Sequence, residues 1–253
     1  AKRLFDSVLL EDPNHVRARL NRCTTLMIDQ NHHAALDDVQ FLLEAHPELD
    51  LARLRRGEIM LSLGEWEEAE SNFRDVLSRR GKNPHALIQL GAALVAQERL
   101  TEAEQPLNEA IRLDGDSADG WYQRGLLYIA FGQFDGALSD FEKAATLNRH
   151  HMNALLRIAA IHHEHENWDD AEAAWRNVLN VEPDNRVARR RIQDAIDGQS
   201  KQRKAEVLTT AGTAEAPEEE VVESPLDSAD DDADDEGVPD EDIPDFEFGF
   251  GTL

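Results

Sequence analysis

The histidines are the side chains best suited to metal or proton chemistry. Three of them, His162, His163 and His165, lie in the stretch 161-IHHEHEN-167. Two histidines four residues apart on a helix can bind zinc, whereas these three are offset by one and three positions. His162 and His165 could share a helix face, with Glu166 as a third ligand. We interpret the stretch as packed or solvated histidines, and the sequence predicts no metal site and no cofactor.

Nucleophilic and phosphate-binding chemistry has little support in the sequence. Cys23 is the single cysteine, so no disulfide can form within the chain, and a small buried thiol is typically an inert packing residue. The chain contains no G-x-S-x-G, GxxxxGK[ST], GxGxxG or HExxH motif. The sequence therefore predicts no catalytic residues and a protein that is not an enzyme.

The charge of the chain is large and uneven. Its 253 residues include 52 acidic and 26 basic side chains, a formal net charge of −26. No Lys or Arg follows Lys204, while residues 209–253 hold 17 Asp and Glu. Such a charge repels nucleic acids and anionic membranes, and no apolar run is long enough to span a bilayer. We expect protein partners, no nucleic acid and no membrane.

The two ends of the sequence carry expectations of their own. The chain starts at Ala1 without a methionine, so we expect further sequence upstream. No signal peptide is visible, which favours a cytoplasmic location without establishing the compartment.

A 34-residue period orders the chain up to about residue 206. Alanine recurs at this interval, a large apolar residue mostly follows four positions later, and Pro or Gly often follows after eight more, as expected for a helix and its end. A second series of small residues marks a helix that precedes each of these. The alanines are Ala1, Ala35, Ala69, Ala103, Ala137 and Ala171, and the small residues are Cys23, Gly57, Gly91, Gly125 and Ala159.

This pattern resembles the tetratricopeptide repeat, and 121-WYQRGLLYIAFGQFDGALSDFEKA-144 carries the family's motif almost completely. The resemblance implies an all-α fold, a right-handed α-solenoid of helix-turn-helix repeats, followed by a disordered tail. Arg22, Arg56 and Arg124 depart from the family, which has leucine at their position. The implied divisions are a second helix of a truncated repeat at 1–15, repeats at 16–49, 50–83, 84–117, 118–151 and 152–185, a capping helix at 186–206 and a disordered acidic tail at 207–253.

The resemblance also implies where a partner binds. In this family the first helices of successive repeats line a concave groove. Projected onto this sequence, the groove is mostly apolar and suits a partner peptide, with Arg55, Gln89, Gln123 and Arg157 at its edge. The predicted partner-binding residues are Leu54, Arg55, Leu61, Ile88, Val95, Tyr122, Leu126, Ile129, Leu156 and Arg157.

The acidic tail ends in 243-IPDFEFGFGTL-253, where three phenylalanines alternate. In an extended segment they point the same way, so we interpret Ile243, Phe246, Phe248 and Phe250 as a second interaction motif, directed at another protein or at the chain's own groove. The predicted function is a non-enzymatic interaction scaffold. The alternative is a regulatory or substrate-recruiting region of a larger enzyme whose catalytic domain lies upstream.

Overall fold

The structure is helical throughout the part that it describes. This computed structural model describes residues 2–212, which form twelve α-helices and no strand. Residues 2–199 pack as one compact unit, and residues 200–212 continue the last helix in a second unit. The predicted tail motif lies outside the described residues. The helices are α1 (Lys2–Glu11), α2 (Val16–Ile28), α3 (His32–Ala45), α4 (Asp50–Leu63), α5 (Trp66–Arg80), α6 (Pro84–Ala96), α7 (Leu100–Leu113), α8 (Ala118–Ala130), α9 (Phe134–Leu147), α10 (Met152–Glu164), α11 (Trp168–Val181) and α12 (Arg186–Gly212).

Successive helices pack in pairs, and the pairs stack in chain order. We call α2, α4, α6, α8 and α10 the first helices and α3, α5, α7, α9 and α11 the second helices. Each first helix packs most extensively on the second helix that follows it, and each second helix packs on the next first helix. Neighbouring first helices also touch, as α4 touches α6 and α6 touches α8. This arrangement is an α-solenoid, which confirms the predicted fold class.

The turn inside each helical pair has one conformation, repeated five times. The residue two positions before the second helix has a positive φ in all five pairs, between 56° and 80°. Glycine occupies two of the positions and tolerates this region without strain, whereas glutamine or glutamate occupies the other three. The shared conformation gives each pair the same connection. The residues are Gln30, Gly64, Glu98, Gly132 and Glu166.

Close helix crossings account for the small residues of the 34-residue series. A Cβ atom added to Gly57, Gly91 or Gly125 would lie 2.4–2.5 Å from a side chain of the following second helix. The opposing side chains are Phe73, Leu107 and Phe141. These glycines therefore let each first helix approach its partner closely enough to bury a large residue between them.

The arginines that depart from the family pattern join the helices of a pair. Arg22 of α2 donates to both carboxylate oxygens of Asp38 on α3, at 2.5 and 2.7 Å. Arg124 of α8 makes the same bidentate contact with Asp140 on α9, at 2.7 and 2.9 Å. Asp38 and Asp140 are buried, so an ion pair lies where the pairs α6–α7 and α10–α11 have apolar residues.

The last helix covers the end of the stack. Ala188 and Ala195 of α12 are buried in one cluster with Ala159 and Trp175. The sequence predicts this capping helix at 186–206, and the helix runs on to Gly212.

Candidate functional site

The burial of α6 identifies the face that the first helices leave open. This helix lies between α4 and α8 and is backed by α5 and α7. Every residue from Ala86 to Val95 is buried except Gln89. After Pro84 at its start, the accessible residues of α6 are His85, Gln89 and Ala96, with buried Ala92 between the last two. Their spacing of four, three and four residues is a single stripe along the helix.

The same stripe is open on the other first helices. Residues 34 positions before and after those of α6 are exposed or half-buried on α2, α4, α8 and α10. We call the stripes of α4 to α10 together the first-helix face. Its members are Leu51, Arg55, Glu58, Ser62, His85, Gln89, Ala92, Ala96, Asp119, Gln123, Leu126, Ala130, Asn153, Arg157, Ala160 and Glu164.

Half of the predicted partner-binding residues lie in the core instead. Leu54, Leu61, Ile88, Val95 and Tyr122 are between 3% and 9% exposed. Their side chains belong to hydrophobic clusters, because their positions on the first helices point at the neighbouring repeat. They therefore offer little surface to a ligand, and the accessible surface lies at neighbouring positions of each helix, such as Arg55 and Ser62 of α4.

The other five predicted residues are half-buried and remain accessible. Arg55, Leu126 and Arg157 lie on the first-helix face. Ile129 and Leu156 flank it on α8 and α10, where the cover from neighbouring helices is less complete than on α6. Their role in binding stays a prediction.

One row of the face is polar in every helix. Each residue in it ends in an amide or a guanidinium group, and all are exposed or half-buried. Four of them are predicted from the sequence to lie at the edge of the groove, whereas in the structure they lie along the middle of the open stripe. The 34-residue spacing adds Asn21 before them and Arg191 after them, and this regularity is visible in the sequence. The row consists of Asn21, Arg55, Gln89, Gln123, Arg157 and Arg191.

Two carboxylates of the face are held by residues of the same or the next first helix. Glu58 accepts a hydrogen bond from Arg55 at 2.6 Å and lies 2.6 Å from the Nε2 atom of His85. Burial alone would raise the pKa of Glu58, but the contacts with His85 and Arg55 outweigh it and lower the pKa. Asp119 lies 3.4 Å from His151, whose proximity lowers the pKa of that carboxyl. Both carboxylates are therefore charged at neutral pH.

The histidines near the end of α10 have separate surroundings. His163 lies 3.3 Å from Arg191 of α12, and its ring meets the ring of Trp168 edge-on. Burial, followed by the charge of Arg191, lowers the pKa of His163. His165 instead packs against Phe134. Within residues 2–212 no three potential metal ligands gather into one group.

Cys23 fills a core position, as its spacing indicates. The side chain is fully buried among Leu26, Val39 and their neighbours. Burial raises the pKa of the thiol to about 12, which leaves it protonated at neutral pH.

We expect Cys23 to resist thiol-specific reagents in the native chain. At pH 8 a pKa of about 12 leaves on the order of one thiol in 10,000 ionised, and the thiolate is the reactive form. Reaction with Ellman's reagent should therefore be at least about a thousandfold slower than after unfolding in guanidinium chloride. A Thr101→Cys variant, which places a second thiol on an exposed position of α7, should react at once. Rapid labelling of Cys23 in the folded wild-type chain would contradict this assignment.

Comparison with known proteins identifies the repeat. The model of the tetratricopeptide repeat family matches residues 60–124 and 128–192, more than half of the chain. The chain belongs to the tetratricopeptide repeat family. This is the fold of protein–protein interaction scaffolds, and it implies protein partners. Among residues 2–212 no helix is long and apolar enough to cross a membrane.

Individual relatives share the repeats over part of their length. A TPR repeat-containing protein of Rhizobium etli is 29% identical over 106 residues, which are 42% of this chain and 52% of the relative. The human protein O-mannosyl-transferase TMTC3 is 30% identical over 99 residues, 39% of this chain and 11% of the transferase. The chain therefore spans about half or less of the length of these curated relatives.

A solved structure shows the same fold. A thermophilic TPR protein of Thermus thermophilus superposes with a TM-score of 0.64 and 23% identity, covering 72% of this chain and 98% of that protein. At this identity the likeness concerns the fold alone.

Proposed function

We propose that this TPR protein is an interaction scaffold that binds an extended segment of a partner along the first-helix face. The observation that carries the proposal is the polar row, at whose centre Gln89 and Gln123 occupy equivalent positions on adjacent helices. Both side chains are half-buried, and neither makes a hydrogen bond to another described residue. Half-buried amides without a partner retain donors and acceptors for a ligand.

The chemistry of the row suits a peptide backbone. An amide can donate to a peptide carbonyl and accept from a peptide N–H at the same time. Packed helices lie about 8–10 Å apart, and an extended chain rises about 3.3 Å per residue. Polar-row residues on neighbouring first helices would therefore contact a bound peptide about every third residue. Backbone recognition of this kind binds a strand-like segment with limited demand on its sequence.

Small residues beside the row leave space for the side chains of the ligand. Half-buried Ala96, Ala130, Ala160 and Leu126 lie on the same face as the amides. Apolar side chains of the partner would cover these methyl groups and gain from their burial. We therefore expect the partner segment to combine an extended backbone with apolar side chains.

The test is the loss of peptide affinity when the amides are removed. A random 12-residue peptide library is selected on the full chain, and the best peptide is synthesised and titrated by calorimetry. Gln89→Ala/Gln123→Ala should weaken its binding by about tenfold or more, because each lost hydrogen bond contributes about 1 kcal/mol. Gln40→Ala/Gln105→Ala, the same change at exposed positions of second helices, should leave the affinity unchanged. The proposal fails if no peptide is selected, or if both double variants bind it equally well.

The tail supplies a second contact in this proposal. Ile243, Phe246, Phe248 and Phe250 lie outside the described residues, and their proposed role rests on their alternating pattern. A partner that engages both the face and this motif would gain from the high local concentration of the second contact.

A second candidate function is a recruiting region within a larger enzyme. The likeness to 11% of a human O-mannosyl-transferase favours it, since similar repeats occur there as one part of an enzyme. Sequencing the complete open reading frame decides between the two: a catalytic domain beside these repeats supports the second candidate, and repeats alone support the scaffold.

A further inference from the structure

The outer side of α12 is a basic surface in an acidic protein. Arginine occupies four of the six positions from Arg186 to Arg191, although the whole chain has a net charge of −26. We call the exposed residues on this side of the helix the α12 end face. They are Arg186, Arg189, Arg190, Gln193 and Asp197.

The end face stands where a further repeat would otherwise pack. Arg190 is 34 residues beyond Leu156 and corresponds to the buried Leu54, Ile88 and Tyr122 of earlier first helices. Those residues are covered by the next first helix, whereas Arg190 is exposed. Stacking an apolar surface on Arg190 would bury an unpaired charge, so the end face is unsuited to another repeat and suited to anionic groups.

The arginines of the end face retain most of their binding capacity. Arg186 and Arg190 have no ion pair or hydrogen bond with any other residue of the described part. Arg189 pairs with Asp184 at 3.1 Å, but that carboxylate is fully exposed, and such pairs are weak. The guanidinium groups can therefore take carboxylates from elsewhere.

We propose that the acidic segment 215–236 of the same chain binds the α12 end face. This segment begins three residues after α12 ends at Gly212, and it holds twelve Asp and Glu and no Lys or Arg. Arg190 lies at most about 33 Å from Gly212 along the helix, and 24 residues can span up to about 80 Å when extended. The covalent link also keeps the segment at a high local concentration. Length, sign of charge and proximity thus select one occupant.

In this proposal the acidic segment has a binding role separate from that of the phenylalanine motif that follows it. Occupied arginines would no longer attract other anions, such as RNA or an acidic protein, to this end of the repeats. This inference concerns α12 and does not depend on peptide binding to the first-helix face.

Paramagnetic broadening in the full-length chain tests the proposal. A spin label is attached to a Ser228→Cys variant, in which buried Cys23 stays unlabelled, and amide signals are recorded by NMR. Amides of residues 186–197 should lose about half of their intensity at low salt and recover it near 1 M salt, where the Debye length falls to about 3 Å. Arg186→Glu/Arg190→Glu should abolish the broadening. Arg176→Glu, a reversal at an exposed arginine of α11, should leave it unchanged.

Each other outcome overturns the proposal. Broadening of the first-helix face would place the segment in the peptide-binding surface, and broadening nowhere in residues 2–199 would mean that it does not bind. Broadening that appears when a spin-labelled chain is mixed with a separate isotope-labelled chain would assign the contact to a second copy.

Discussion

Replacing Asp140 with alanine is expected to lower the free energy of unfolding by about 3–5 kcal/mol, since removal of one partner strands a half-buried arginine. Arg124 is 18% exposed and Asp140 is 5% exposed, so little water reaches the pair. The pair is bidentate, and the contact with Asp140 raises the pKa of Arg124. After the substitution Arg124 keeps a hydrogen bond to Asn108 but loses its counter-charge. Urea unfolding of the full chain, followed by circular dichroism, measures the loss.

A second substitution separates the pair from general disruption of the helices. The repeat that follows has Ile158 and Ala174 at the places of Arg124 and Asp140. Arg124→Leu/Asp140→Ala should therefore recover most of the lost stability, because apolar residues often replace a buried ion pair without loss. Glu142→Ala, at an exposed position in the second half of α9, should change stability by less than about 0.5 kcal/mol. A double variant as unstable as Asp140→Ala alone would show that the buried charge is not the cause.

The 34-residue period predicts the fold because it fixes which residues meet. Alanine, a large apolar residue and a small residue recur at constant spacing, and the structure buries them between the helices of each pair. Different large apolar residues can fill one position, as Phe73, Leu107 and Phe141 do in successive repeats, but the position itself stays constant. Local pattern and tertiary packing agree here, which is why sequence alone is sufficient.

The open face was harder to predict than the fold. Leu54 and Leu61 lie one position away from the accessible stripe of α4. A sequence shows that they are apolar without showing what covers them. The next first helix covers them. This contact between repeats cannot be predicted from the spacing of apolar residues within one helix. Gln89 and Gln123 carried the better signal, because a polar residue that recurs among buried neighbours needs a partner.

The ion pairs are also visible in the sequence, although a comparison with the family pattern shows only that leucine is replaced by arginine. Arg22 and Arg124 stand out as departures from the expected leucine, but each has an aspartate 16 residues later. Arg56 has Asn72 at that distance, and it reaches Glu68 at 3.4 Å instead. A charge of opposite sign at the same offset in the same repeats predicts the pairing, whereas the burial of Asp38 and Asp140 requires the structure.

Replacing Gly125 with alanine is expected to lower the free energy of unfolding by about 1–3 kcal/mol, the usual range for overpacking a core. The new Cβ atom would lie 2.5 Å from Cε1 and 2.7 Å from Cδ1 of Phe141. Phe141 is fully buried, so its ring can move only by displacing its neighbours. Alanine favours a helix over glycine by about 1 kcal/mol, and the clash has to exceed this gain. The measurement is again urea unfolding of the full chain.

The same substitution elsewhere in α8 isolates the effect of the crossing. At Gly120 the nearest atoms to an added Cβ lie at 3.5 Å, which is ordinary contact, so Gly120→Ala should be neutral or stabilising by up to about 1 kcal/mol. Phe141→Val should remove the clash, because the first pair of helices combines Cys23 with Val39 at these places, both fully buried. In a Phe141→Val background Gly125→Ala should then have little effect or stabilise the chain, a non-additivity that a double-mutant cycle measures. If Gly125→Ala destabilises equally with either residue at position 141, the close approach to the ring does not explain the glycine.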